Sequence, residues 1–246
     1  MEKYKINRSI MKSNFNEEVE SDQLKQLPQP PLEKPYDDNG EIVELPSVDK
    51  SIITKGDIFD CILDRKSHRV YNDEEITLVE LSYLLTMTQK IKEIRGDNYA
   101  GIRPVPSAGA RHPFETYLAV ENVEGLRKGV YRYLPIEHKL LFIKEEDNIG
   151  QKLVDGSNGQ KFAGKAAVNF IWSCIPYRTE WRYVNRSYKI MLLDAGHICQ
   201  ALYLACETIG LGTCAIASYD QELMDELIQV DGEEEFTVYM SPVGRV

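Results

Sequence analysis

No apolar run in these 246 residues approaches the roughly 18 that a bilayer-spanning helix needs. The opening stretch MEKYKINRSIMKSNFNEEVE has no apolar core of the kind a secretory signal carries, so the expected location is the cytoplasm. Positive charge is in short supply, with 29 Lys and Arg against 39 Asp and Glu and a net charge of -10. Nucleic acid and anionic membrane both require a broad basic face, and neither is expected as a partner. The five cysteines, Cys61, Cys174, Cys199, Cys206 and Cys214, form no C-x-x-C pair and are odd in number. That excludes a disulfide framework and a zinc knuckle, and leaves them as small core residues. Also missing are a G-x-G-x-x-G turn after a strand, a Walker loop, a G-x-S-x-G elbow and an H-E-x-x-H helix, while the four histidines are too scattered to suggest a metal site.

What is present reads as one domain with an appended arm, because 43% hydrophobic residues in a chain this long can bury a sizeable core. Residues 1–50 are polar and then proline-rich through QLPQPPLEKPYDDNGEIVELP, the composition of an extended arm. Such an arm is either disordered or laid, through Leu27, Leu32, Tyr36, Ile42, Val43 and Leu45, in a groove or on a partner subunit. The domain proper spans residues 51–246. Helical spacing is expected in DIFDCILD, and from the T-x-x-E capping box of Thr77 and Glu80 to about Glu93. Branched and aromatic runs predict strands at Thr116–Val120, Gly129–Leu134 and Leu140–Ile143, and a helix resumes near Glu145. Ala166–Cys174 reads as a central strand covered on both faces. The longest helical pattern runs from Ser187 to about Ile209 and is stopped by Gly210. A short helix at Gln221–Ile228 and a strand at Glu235–Met240 close the chain. Without strict βαβ alternation, the class is α+β with a mostly antiparallel sheet.

Three stretches stand out chemically. Arg65-Lys66-Ser67-His68-Arg69 is a cationic knot in an acidic protein, and a solvated face is its plain alternative. Pro106-Ser107-Ala108-Gly109 is a loop of small residues that lets something flat approach the backbone, or else an ordinary loop. The glycines Gly210 and Gly212 deliver the run Thr213–Ala217 to one spot. Guanidinium groups clamp phosphate, small residues admit a ring, and free amides bond its edge, so the three together suit a flat anionic cofactor. On the long helix Asp194 and His197 lie three apart and could share a hydrogen bond, with a satisfied buried histidine as the expected case.

At these residues the chain resembles the nitroreductase-like FMN-dependent flavoproteins, specifically the SagB/ThcOx-type dehydrogenase branch. Arg65–Arg69 matches an Arg-x-Ser-x-Arg signature, Pro106–Gly109 the PSAG loop, and Gly129–Tyr133 a G-x-Y-x-Y strand. Trp181-Arg182-Tyr183, Arg186-Ser187-Tyr188 and Leu193–His197 resemble the branch's helical block, and Gly210-Leu211-Gly212 and Gly244-Arg245 complete the likeness. The resemblance implies a nitroreductase-like fold in which helices flank the sheet, and a homodimer with FMN at the interface. Arg65, Lys66, Ser67 and Arg69 would hold the cofactor's phosphate, ribityl chain and pyrimidine edge, with Arg245 converging on the same phosphate. Pro106, Ser107, Ala108 and Gly109 would face the isoalloxazine from the other subunit, and the backbone at Ala217 and Ser218 would bond flavin N5. The implied activity is hydride transfer through N5, either oxidising a peptide-derived azoline or reducing a small electrophile with NAD(P)H. The alternative is a flavin-holding scaffold subunit of a peptide-modifying assembly. The candidate catalytic residues are Arg182 and Tyr183. Azoline-oxidising members resemble one another in a Lys-Tyr pair, and an arginine there cannot act as a base. It can bind an anionic substrate, or make a salt bridge to a nearby carboxylate.

Overall fold

The computed structural model describes residues 3–12 and 19–246. Residues 1, 2 and 13–18 of the expected arm lie outside them. The branched and aromatic runs form a sheet from β1 (Ile42–Glu44), β4 (Phe114–Val120), β5 (Gly129–Leu134), β6 (Lys139–Glu145), β7 (Val168–Cys174), β8 (Leu211–Thr213) and β9 (Phe236–Arg245). Their spatial order is β1-β6-β5-β4-β7-β9-β8 and each of these pairings is antiparallel. A separate hairpin pairs β2 (Glu93–Arg95) with β3 (Ala100–Ile102).

Period-two alternation in β7 feeds two cores, as a central strand requires. Val168, Phe170, Trp172 and Cys174 pack with α3 (Leu78–Thr88) and with the long helix α6 (Ser187–Thr208). Ile171 faces the other way, with Tyr117, Met240 and residues of α4 (Ile149–Gly156) and α7 (Gln221–Ile228). The capping box is present: Glu80 donates its amide to the Thr77 hydroxyl at 3.1 Å, and the Thr77 amide donates to the Glu80 carboxylate at 2.8 Å. The helix it starts ends at Gln89, short of Glu93, because the chain turns there into the β2–β3 hairpin. All five cysteines are free and buried. No helix among the described residues is long and apolar enough to cross a membrane.

The arm differs from a uniformly extended tail. Lys3–Met11, free of proline and glycine, forms helix α1, and β1 joins the main sheet along β6. Between them the proline-rich stretch is gripped through its main chain. Arg103 donates to the Leu32 carbonyl at 3.3 Å, Arg132 to the Lys34 carbonyl at 2.9 Å, and the Lys34 amide donates to Glu115 at 2.9 Å. The Lys34 ammonium pairs with Glu235. Polyproline-like chain makes no internal hydrogen bonds, so its carbonyls are available to these buried arginines.

Glu33, in the same stretch, is buried, and among the described residues its one close donor is the Ile136 amide, at 3.0 Å. Burial raises its carboxyl pKa to about 7, with Glu137 and Glu115 adding repulsion and Arg132 opposing it. A raised carboxyl pKa means that the folded state keeps a proton the unfolded chain has released. The associated stability is therefore present below pH 4.5 and lost as pH rises to about 7. Compared with Glu33→Gln, the native protein is expected to lose about 2 kcal/mol across that window in urea unfolding. Parallel stability curves for the two proteins would show that the carboxyl titrates normally.

Candidate functional site

The cationic knot begins where α2 (Ile58–Asp64) ends, with Arg65 as its C-cap. The chain from there to Asn72 lies along the ends of β8 and β9: the His68 amide donates to the Thr213 carbonyl and the Asn72 amide to the Arg245 carbonyl, both at 3.0 Å. Two glycines make this possible. A Cβ on Gly212 would meet the His68 Cβ at 2.8 Å, and one on Gly244 would meet the Tyr71 ring at 2.7 Å. Both glycines were visible in the sequence, and close approach is the reason for both.

Among the described residues, no carboxylate forms an ion pair with Arg65, Lys66 or Arg69. Burial and the neighbouring Lys66 push His68 below its ordinary pKa, so it adds no charge to the loop near neutral pH. The Arg65 guanidinium stands 5.2 Å over the Tyr203 ring, and that of Arg69 stands 6.0 Å over Phe162. Arg245, expected to join them on one phosphate, has carboxylate partners of its own. It is bound to Glu80 at 2.9 Å and to Glu74 at 3.3 Å, and its charge is already matched.

Tyr203 is the residue that sequence reasoning missed. It projects from α6, its hydroxyl lies 2.9 Å from the Ser67 hydroxyl, and it accepts the Ala215 amide at 2.8 Å. One phenol thus ties the cationic loop to the turn after β8. Its helical neighbours Cys199, Gln200, Cys206 and Glu207 form a mixed face that gives no local signal for this role. Beyond Ala215, residues Ala217 and Ser218 are exposed, and neither amide donates to another described residue. The Ser218 carbonyl is held by Gln160 at 3.1 Å.

The small-residue loop is elsewhere. Ser107 donates its hydroxyl to Asp194 at 2.5 Å and accepts the His112 amide at 2.9 Å, and the Ala108 amide points at Asp194 from 3.4 Å. Burial raises the Asp194 pKa, and the Ser107 and Ala108 bonds oppose it. Pro106 is exposed and Gly109 half-buried. Asp194 and Tyr203 are nine residues apart on α6, about 14 Å along its axis, so the predicted cofactor residues of one chain fall into two groups. His197 is half exposed, 4.0 Å from Asp194, so the expected buried histidine is not there; the buried histidines are His112 and His138.

The second group includes the candidate catalytic pair, carried on α5 (Tyr177–Tyr183). Gly109 has φ +61°, and a Cβ there would lie 2.8 Å from the Tyr183 hydroxyl and 3.3 Å from Arg182. Only glycine lets the loop pass under both side chains. Arg182 donates to the Tyr99 hydroxyl at 2.8 Å and pairs with no carboxylate among the described residues. Next to Tyr183, Val184 has φ +52° and ψ -130°, a strained geometry for a β-branched residue. No cluster of His, Cys, Asp or Glu among the described residues could hold a metal ion.

A family model described as the nitroreductase family matches residues 62–245. A protein of Methanocaldococcus jannaschii classed among the nitroreductases is 33% identical over 187 residues, 76% of this chain and 89% of its own length. The trifolitoxin-processing protein TfxB of Rhizobium leguminosarum bv. trifolii is 31% identical over 133 residues, which cover 52% of this chain and 36% of that protein. A crystal structure classed as a nitroreductase, from Anabaena variabilis, superposes with a TM-score of 0.70 at 25% identity, over 87% of this chain and 43% of the other.

Proposed function

The chain belongs to the nitroreductase family, and we propose that it is an FMN-dependent oxidoreductase of the SagB-type branch that works as a homodimer. The observation that carries this reading is a loop of three cations with no carboxylate partner among the described residues, joined through Tyr203 to a turn whose two exposed amides find no acceptor among them. Those are the donors that a phosphate and the edge of a flat ring require. Bound FMN would supply two-electron hydride chemistry at N5.

In this reading Arg65, Lys66, Ser67 and Arg69 hold the phosphate, ribityl chain and pyrimidine edge, and the amides at Ala217 and Ser218 orient the ring. Arg245 contributes only by giving up Glu80 and Glu74. The separation of Pro106–Gly109 from this group along α6 agrees with their facing the ring of the partner subunit. Leu192 and Leu193 on α6, at 60% and 54% exposure, and Phe59 on α2, at 67%, supply apolar surface for that contact. Arg182 serves as an anion-binding group rather than a base, and Tyr183 carries the hydroxyl that would act as proton donor.

The likeness to TfxB supports the second reading, a flavin-holding subunit within a peptide-modifying assembly. The purified protein is expected to be yellow, to sediment as a dimer and to bleach under NADH or NADPH. Colour without bleaching by either nicotinamide, or by an azoline peptide, favours the scaffold. A colourless protein that takes up no FMN rules out both.

A further inference from the structure

The second group of residues contains more than the catalytic pair. Arg111 is only 4% exposed, donates to the Gly109 carbonyl at 3.0 Å and to the Tyr99 carbonyl at 2.6 Å, and pairs with no carboxylate among the described residues. Its guanidinium lies 4.8 Å from the Tyr99 ring and 5.5 Å from the Trp181 ring. Arg182 holds the other end of the same tyrosine, and its own guanidinium lies 5.5 Å over the Tyr183 ring. Two arginines share one tyrosine and neither meets a carboxylate among the described residues, in a protein of net charge -10; for the buried Arg111 this is costly unless something anionic offsets it.

The Tyr99 hydroxyl adds a directional clue. It accepts from Arg182 at 2.8 Å and from the Gln23 side-chain amide at 3.0 Å. With both lone pairs occupied, its own proton is left to donate outward. The Gln23 contact belongs to the arm, which also donates the Gln23 amide to the Trp181 carbonyl at 2.9 Å and accepts the Trp181 indole N–H on Leu27 at 3.1 Å. The arm therefore forms one wall of the site and pins α5, which carries Arg182, together with the Tyr99 hydroxyl.

We infer that Arg182, Arg111 and the Tyr99 hydroxyl form an oxyanion subsite, flanked by the Trp181 and Tyr183 rings and walled by the arm, for a planar ligand bearing a carboxylate or phosphate. The subsite deepens the oxidoreductase reading by naming the ligand's charge, and depends on that reading only for the proximity of a reacting ring. Carboxylate on an aromatic substrate and phosphate on a nicotinamide cofactor share this chemistry, so the test treats them as separate arms.

Calorimetric titration of the full chain with benzoate against benzamide, and with NADPH against NADH, reads both arms. The anionic or more highly charged member of at least one pair is expected to bind about tenfold tighter or more, consistent with charge-assisted bonds to guanidinium. Arg182→Gln and Tyr99→Phe, both at half-exposed or exposed positions, should abolish that preference, and Arg182→Lys should retain part of it. A preference in the benzoate pair assigns the oxyanion to the substrate, and one in the NADPH pair to the cofactor. Equal affinities within both pairs, or a preference that survives Arg182→Gln, overturn the subsite. Because calorimetry needs no flavin, a protein that ignores FMN but prefers benzoate would overturn the flavin assignment and leave the subsite standing.

Discussion

Glu115→Gln is expected to lower the unfolding free energy by about 3–5 kcal/mol, the usual cost of leaving a buried charge without its partner. Glu115 and Arg178 are both almost fully buried and meet at 2.5 Å, and the same carboxylate oxygen accepts the Lys34 amide of the arm. Burial alone would raise the Glu115 pKa. Arg178, Arg132 and Arg103 nevertheless bring it below the ordinary carboxylate range, so the group is ionised. Three arginines therefore depend on one carboxylate. An isosteric amide keeps the shape and one acceptor and removes the charge. At about 2–4 °C per kcal/mol for a chain of this size, the melting temperature should fall by roughly 10 °C. Limited proteolysis should also cut the arm between residues 21 and 36 faster than in the native protein. Adding Arg178→Met to Glu115→Gln should recover part of the loss, because the unpaired cation is then gone. A loss below about 1 kcal/mol for Glu115→Gln would mean that solvent reaches the cluster.

Arg65→Gln combined with Arg69→Gln should weaken FMN binding by about a hundredfold or more. Each charge-assisted bond is worth about 1.5–3 kcal/mol, and every 1.4 kcal/mol is tenfold in affinity. Both side chains reach solvent and neither pairs with a described carboxylate, so the fold should be unaffected. Quenching of flavin fluorescence reads the affinity. Native binding should weaken with added salt more steeply than that of the double variant, because screening acts on the charges removed. Arg245→Gln is the informative contrast: its charge is spent on Glu80 and Glu74, so its effect on FMN should be smaller. If the double variant bound FMN as tightly as the native protein, the cationic loop would be no more than a solvated face.

Features set by local pattern were legible in the sequence. The capping box at Thr77 and Glu80, the strand at Gly129–Leu134 and the helix at Gln221–Ile228 depend on neighbours a few residues apart, and they lie where periodicity puts them. Gly210, with φ +72°, stops α6 as a C′ residue should. Ile91 continues the apolar pattern of α3 beyond its end, but the main-chain amide of Ile91 donates to Pro135, far along the chain. β9 was read as ending at Met240 because Pro242 and Gly244 discourage a strand, yet it runs on to Arg245 between its two neighbours. Leu193, expected on the buried stripe of α6, is exposed on this chain. The buried charges that hold the arm and the phenol of Tyr203 had no local signature, since the pairs Glu115–Arg178, Ser67–Tyr203 and Lys34–Glu235 are 63, 136 and 201 positions apart and only the tertiary fold brings them together.

The position of β9 bears on how the polypeptide is made. It is the last in sequence of the seven strands of this sheet, yet it lies between β7 and β8 rather than at a margin. A nascent chain halted anywhere before Phe236 would present the full length of β7 as an open template, with the apolar face of α6 already synthesised above it. The sheet therefore closes only when β9 pairs between β7 and β8, after every other strand of it has been made, and the interval before that is when a chaperone would be needed most.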